Sequence, residues 1–266
     1  MNAFSVEREG SVALVTMLGS AMGREFFVEL PQLFRELDSD PAVRAIVLGG
    51  SGTNFSYGLD LADVAPMFTA LTTDDVGARA RTALLGQVRE WQASITAVAD
   101  CRTPIISAID GWCVGGGIDL IVATDIRLAT ADARFSIRET KVAIVADLGS
   151  LQRLVGIIGD GHLRELALTG GDIDSTRAER VGLVNTVYPD AATLRDAALS
   201  MAAAIAANPP LVVRGVKDVL DVERAPRVEA GLRYVATWNA AFLPSHDLGE
   251  AFAAFAERRP ADFTGE

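Results

Sequence analysis

The chain has 266 residues, half of them hydrophobic, and a formal net charge of -11; it is long enough to bury one large core without help from disulfides or metals. An acidic balance with no cluster of lysines or arginines excludes a nucleic-acid face, so no nucleic-acid partner is expected. Its two cysteines, Cys101 and Cys113, flank an apolar strand and read as reduced core thiols. The first thirty residues lack the basic start, long apolar centre and cleavage site of a signal peptide, and the apolar runs are too short or too polar to span a bilayer. No membrane partner and a cytoplasmic location are the resulting expectations.

In chain order, Val12–Met17 is a short apolar run of β type, and Phe26, Leu30, Phe34 and Leu37 follow at helical spacing. Ala42–Leu48 predicts a second buried strand. It ends in GGSGTNFSYGLD, a glycine-rich turn whose backbone amides could face a ligand. A longer helix is predicted from about Asp75 to Ala99, then a strand over Pro104–Ile109 and a second glycine cluster opening a helix over Gly116–Ala123. Next come the strand-like IRLAT and RFSIR, the helical LGSLQRLVGII and DGHLRELAL, and GLVNTVYP. This alternation reads as α/β. From Ala191 the pattern is helical, broken by Pro209 and Pro210 and closed by a helix from about Ser245 to Arg259. The expected organisation is an α/β core over residues 1–190 and a helical region over 191–266.

Three acids stand where the surrounding residues are written for burial or tight turns: Asp119 in GWCVGGGIDL, Glu139 after ARFSIR, and Asp147 in VAIVADLGS. Buried carboxylates that converge on one pocket make a proton-moving site. Each also has a plainer reading: Asp119 as a helix N-terminal carboxylate, Glu139 as a solvated strand end, and Asp147 as the cap of the helix beginning at LGSLQRL. Taken jointly, acids beside two glycine turns favour catalysis. The second turn opens a helix whose first amides have no intrahelical acceptor, and two such donors on one carbonyl oxygen form an oxyanion hole. Asp125 reads as structural. GxGxxG, P-loop and GxSxG motifs are absent, which disfavours dinucleotide, phosphate-loop and triad-hydrolase readings. His162 and His246 are the only histidines and have no ligand spacing around them, so no metal is expected.

The segments NFSYGLDL, IISAIDGWCVGGGIDL, TDIRLATADARFSIRE and LGSLQRLVGIIG together resemble the crotonase, or enoyl-CoA hydratase/isomerase, superfamily, and the likeness continues through GLVNTVYPD into AFAAFAERRPADFTGE. That resemblance implies a spiral of β-β-α units in two near-perpendicular sheets, a helical C-terminal trimerisation region, and a homotrimer or homohexamer. By motif position it implies oxyanion amides at Leu59 and Gly116, with Ser56, Tyr57, Gly58, Asp60 and Gly115 lining the substrate. The order Asp119, Glu139, Asp147 is similar to the dienoyl-CoA isomerase branch. The implied reaction moves the double bonds of a 3,5-dienoyl-CoA to the conjugated 2,4-dienoyl-CoA, with Glu139 serving carbon 2 and Asp147 carbon 6. CoA then belongs to the substrate and no separate cofactor is implied. The first loop, LGSAMGREFF, is shorter than the CoA-contacting loop of many members, with Arg24 the candidate clamp and an acyl-carrier thioester the other possible substrate form. Two alternatives stay open: an enoyl-CoA hydratase or 3,2-enoyl-CoA isomerase working through Asp119 and Glu139 alone, and a non-catalytic acyl-thioester binder.

Overall fold

The computed structural model describes residues 1–72 and 76–266. Its centre is a six-stranded sheet in the order β1 (Phe4–Glu9), β2 (Val12–Met17), β4 (Ala45–Gly50), β6 (Ile105–Ile109), β8 (Ile126–Thr130) and β11 (Thr186–Tyr188). Only the β1–β2 hairpin is antiparallel; the other pairings are parallel. Successive apolar runs therefore become neighbours. Both faces of the central strands are covered, which is why β2, β4 and β6 read as apolar runs. On one face Ala13, Val15, Met17, Ile46 and Leu48 pack into the main core with α1 (Arg24–Ser39). On the other, Val12, Leu14, Ala45, Val47, Ile106 and Leu128 meet a line of apolar residues, Leu194, Ala198, Ala202 and Ala206. Those four come from one side of the helix Ala191–Ala206.

The remaining strands among the described residues form two smaller sheets. β3 (Ala21–Met22) pairs in parallel with β5 (Gly58–Leu59), and β7 (Trp112–Val114) lies beside β9 (Arg134–Ser136), which pairs in turn with β10 (Asp172–Asp174). An isolated bridge between Ser56 and Cys113 links the two sets. Short strands of this kind carry too little periodicity to read from sequence.

Proline in a helix shows how local defects are repaired. Pro31 lies inside α1, so the Phe27 carbonyl loses its intrahelical donor. The Ser94 hydroxyl, from α3 (Ala78–Ala99), donates to that carbonyl at 2.6 Å and ties the two helices together. α2 (Leu61–Thr69) lies between them in sequence. The predicted start of the long helix at Asp75 falls outside the described residues. The predicted strand Ala42–Leu48 is corrected to Ala45–Gly50: Asp40 accepts the Ala42 N–H on its side chain and the Val43 N–H on its carbonyl. That turn holds the segment out of the sheet until Ala45.

After α4 (Gly116–Ile121), α5 (Ser150–Arg153) and α6 (Val155–Thr169), which breaks at Gly159 with φ 77°, the chain forms α7 (Ser175–Arg180). The remaining helices are α8 (Ala191–Ala206), α9 (Pro210–Asp221), α10 (Arg224–Phe242) and α11 (His246–Glu257). α10 packs on α3, and α11 lies over α2 with the Phe252 and Phe68 rings 5.2 Å apart. Cys101 and Cys113 are free and buried. Among the described residues no single helix is long and apolar enough to cross a membrane.

Candidate active site

The first wall of the site is built from glycine turns. Ser56 donates its N–H to the Trp112 carbonyl and accepts from the Val114 N–H, which fixes the 56–60 segment against β7. Its hydroxyl accepts the Gly58 N–H at 3.1 Å. Tyr57 and Asp60 donate to the carbonyls of Ser20 and Met22 in the short first loop. Leu59 stands between these anchored residues. Gly58, at φ +83°, touches the start of α4: a Cβ there would be 3.0 Å from the Gly116 nitrogen and 3.1 Å from the Val114 oxygen. Only glycine allows that approach. Gly115 gives its N–H to Ser136, whereas Gly116 opens α4, where an amide has no acceptor in its own helix. The fold thus brings Gly58 against Gly116, with Leu59 the next residue along β5. Ser56 is buried as a brace, Tyr57 is half exposed, and Asp60 caps α2 by accepting from Ala62 and Asp63.

The second wall is acidic. Asp119 is fully buried on α4 and accepts the Ser150 N–H at 2.5 Å. Asp119, and not Asp147, therefore serves the first amide of α5. Burial pushes its carboxyl up to about 6, opposed by the Ser150 amide and the Arg153 charge. Arg153 is itself buried, its guanidinium against Gly149 and bonded to the Leu148 carbonyl and Thr96 hydroxyl.

Glu139 begins a single 3-10 turn, Glu139–Val142, which ends in a left-handed Ala143 at φ 56°. The turn is pinned on both sides: Arg138 forms a two-pronged pair with Asp172, and the Thr140 hydroxyl donates to Ala167. Its carboxylate is directed inward, with Oε1 3.4 Å from where a Cβ on Gly115 would be. Oε2 is buried without a partner. Burial, then the charges of Asp119 and Asp147, push Glu139 up to about 8. A solvated strand end is excluded by this placement.

Asp147 lies between the buried Ala146 and Leu148. Burial pushes it up to about 7, and the Asp119 charge adds to the rise. Its side chain makes no cap; Oδ2 accepts from Asn239 Nδ2 at 2.6 Å. Gln92 Nε2, on α3, donates to the Asp147 main-chain carbonyl at 2.7 Å and to Leu232 of α10 at 3.0 Å. Asn239, Gln92 and Arg153 support the acids and have no motif around them. The available signal is periodicity: Val228, Leu232, Val235, Ala236, Asn239 and Ala240 share the buried stripe of α10, and Asn239 is its one amide. Asp125 is structural, bonded to the Ile105 N–H and paired with Lys217 at 2.9 Å. Among the described residues no three His, Cys, Asp or Glu side chains are grouped to hold a metal ion.

A parallel α/β core that gathers three carboxyls of raised proton affinity, one of them against the glycine turn at Gly115, has the architecture of an enzyme. Comparison with known proteins places it more closely. The family described as Enoyl-CoA hydratase/isomerase matches residues 7–266, and the chain belongs to that family. It is 43% identical to a mitochondrial Delta(3,5)-Delta(2,4)-dienoyl-CoA isomerase from Dictyostelium discoideum, across 92% of this chain and 83% of that protein. A peroxisomal protein of the same name from Arabidopsis thaliana is 42% identical, across 92% of this chain and 88% of its own. Among solved structures, an enoyl-CoA hydratase/isomerase from Mycobacterium paratuberculosis superposes with a TM-score of 0.83 at 26% identity, covering 95% of this chain and 98% of that one. The crotonase-like fold expected from the sequence is the fold observed.

Proposed function

We propose that the chain isomerises a 3,5-dienoyl-CoA to the conjugated 2,4-dienoyl-CoA, using Glu139 and Asp147 as separate proton carriers. The observation that carries this reading is the placement of Asp147. Its carboxyl adds to the field felt by Glu139 and caps no helix. Glu139 removes a proton from carbon 2; the electron pair spreads over the dienolate from the thioester oxygen to carbon 6. The amides of Leu59 and Gly116 hold the oxygen, each such donor being worth about 2.7–4 kcal/mol in the transition state. Asp147 then delivers its proton to carbon 6. One turnover leaves Glu139 protonated and Asp147 ionised, and exchange with solvent restores the pair. Asp119, held by Ser150 and Arg153, stays the most acidic of the three, and its charge makes Glu139 a stronger base.

The deciding experiment offers Asp147→Asn a 3,5-dienoyl-CoA and a 2-enoyl-CoA in parallel, following ultraviolet absorbance. Dienoyl isomerisation is expected to disappear. Isomerisation surviving at wild-type rate, or hydration alone in the wild type, favours the alternative in which Asp119 and Glu139 act by themselves.

Catalysis needs Glu139 charged and Asp147 protonated, whereas burial and its two acidic neighbours hold the proton more firmly on Glu139, at about 8, than on Asp147, at about 7. The working state is the minor tautomer of the singly protonated pair, and kcat/KM should follow a bell whose limbs, in the region of about 7 and about 8, belong to the pair. Below it the base is protonated; above it the donor is gone. A profile flat from about pH 5 to 9 would contradict two-acid transfer.

Assembly as a homotrimer or homohexamer is part of the same proposal, supported by the exposed apolar residues Leu211, Val212, Val216, Val219 and Leu220 on α9. A cytoplasmic location is a further part of the proposal and differs from the compartments in the names of the two relatives, a mitochondrion and a peroxisome.

A further inference from the structure

The helices after Ala191 do more than cover the sheet: one of them reaches the acids. Asn239 is 1% exposed on the inner stripe of α10, and its Nδ2 donates to two acceptors, the Val145 carbonyl at 2.9 Å and Asp147 Oδ2 at 2.6 Å. A carbonyl can only accept, so the Val145 contact fixes which end of the amide faces inward. The second hydrogen then has one place to go. We propose that Asn239 is a positioning residue for proton transfer, holding the Asp147 carboxyl in one rotamer and donating to the charge that forms on Oδ2 as its proton leaves. The inference rests on the reading of Asp147 as a proton carrier.

The residue type matters. A lysine or arginine here would keep Asp147 permanently ionised, leaving nothing to deliver, and an apolar side chain would leave the buried acid protonated and free to turn. A neutral amide lies between these limits. It opposes the upward push of burial without cancelling it. Asp119 has the stronger support of a main-chain amide and a buried guanidinium, in keeping with an acid that stays charged.

Gln92 supplies the internal control. Its Nε2 bridges the Asp147 main-chain carbonyl and Leu232, so it braces the same loop and the same helix without touching the carboxyl. A purely structural role for Asn239 therefore predicts that Asn239→Leu and Gln92→Leu behave alike. A positioning role predicts that they differ.

The test measures pH profiles of kcat and kcat/KM on a 3,5-dienoyl-CoA, with melting temperatures, for the wild-type chain, Asn239→Leu, Asn239→Asp, Gln92→Leu and Asp147→Asn. In Asn239→Leu, kcat should fall on the order of tenfold with KM within about twofold. Its bell should move to higher pH by on the order of one unit, because the donor favouring the Asp147 carboxylate is gone. Asn239→Asp keeps the shape of the side chain and replaces the donor with a like charge. It should shift the bell the same way, and it serves where the leucine variant does not fold. Gln92→Leu should lower the melting temperature and leave the limbs of the bell in place. Asn239 variants whose bell stays at the wild-type pH, or moves only as Gln92→Leu does, overturn the proposal. Activity retained by Asp147→Asn instead overturns the reading of Asp147 on which it rests, so the two failures are distinct.

Discussion

Glu139→Gln should lower kcat for dienoyl isomerisation by about 10²–10⁴, the usual contribution of a positioned acid–base group. Glutamine keeps the shape and the inward direction but cannot take a proton from carbon 2. Stability should move the other way with pH. Folding raises the Glu139 carboxyl from an ordinary 4.5 to about 8, so the native state holds a proton that the unfolded chain has released between those values. Native stability contributed by this group is fully present below about 4.5 and is lost as pH rises to about 8. The melting temperature of Glu139→Gln relative to wild type should therefore improve from about pH 5.5 to about pH 8 and level off above it. Thermal melts at the two pH values beside steady-state rates check both halves. A rate within tenfold of wild type, or an offset in melting temperature that ignores pH, would remove Glu139 from the proposed role.

Gly58→Ala should be nearly as damaging for a different reason. At φ +83° a Cβ is already strained, by about 1–2 kcal/mol on general grounds. Here it also meets the Gly116 nitrogen at 3.0 Å and the Val114 oxygen at 3.1 Å. Both are main chain, so relief means moving the start of α4 and with it the Gly116 amide. Loss of one oxyanion donor is typically a factor of about 10²–10³ in kcat. The variant should show a loss of that size together with a melting temperature lower by several degrees, by about 2–4 °C per kcal/mol for a chain of this size class. Gly86→Ala is the comparison: Gly86 is in the middle of α3 with nothing within 4 Å of an added Cβ. There alanine should raise the melting temperature slightly and leave kcat alone. Equal behaviour of the two variants would detach the Gly58–Gly116 contact from catalysis.

The sequence by itself determined the class of fold and the chemical inventory. Val12–Met17, Ile105–Ile109 and Ile126–Thr130 are apolar runs between turn signals, and a strand buried on both faces must look so. Asp119, Glu139 and Asp147 were visible because a carboxyl among apolar residues and glycines is costly unless something uses it. β1 was not legible, since four of its six residues are exposed and its polar face hides the pairing. Neither were β3, β5 and α2, too short or too close to a glycine-rich turn to show a period.

Only the tertiary structure decided which partner each acid takes. Asp147 precedes LGSLQRL and has the spacing of a cap, yet the Ser150 amide turns to Asp119, 31 residues earlier. That exchange frees Asp147 for Asn239, 92 residues later. Hydrogen-bond partners at such separations are chosen by how helices pack against the sheet, a property of the whole core that no local window contains. The same packing sets the proton affinities: the charges that raise Glu139 belong to residues brought beside it by β9, α4 and the loop before α5, and their effect depends on the low-dielectric space those elements enclose.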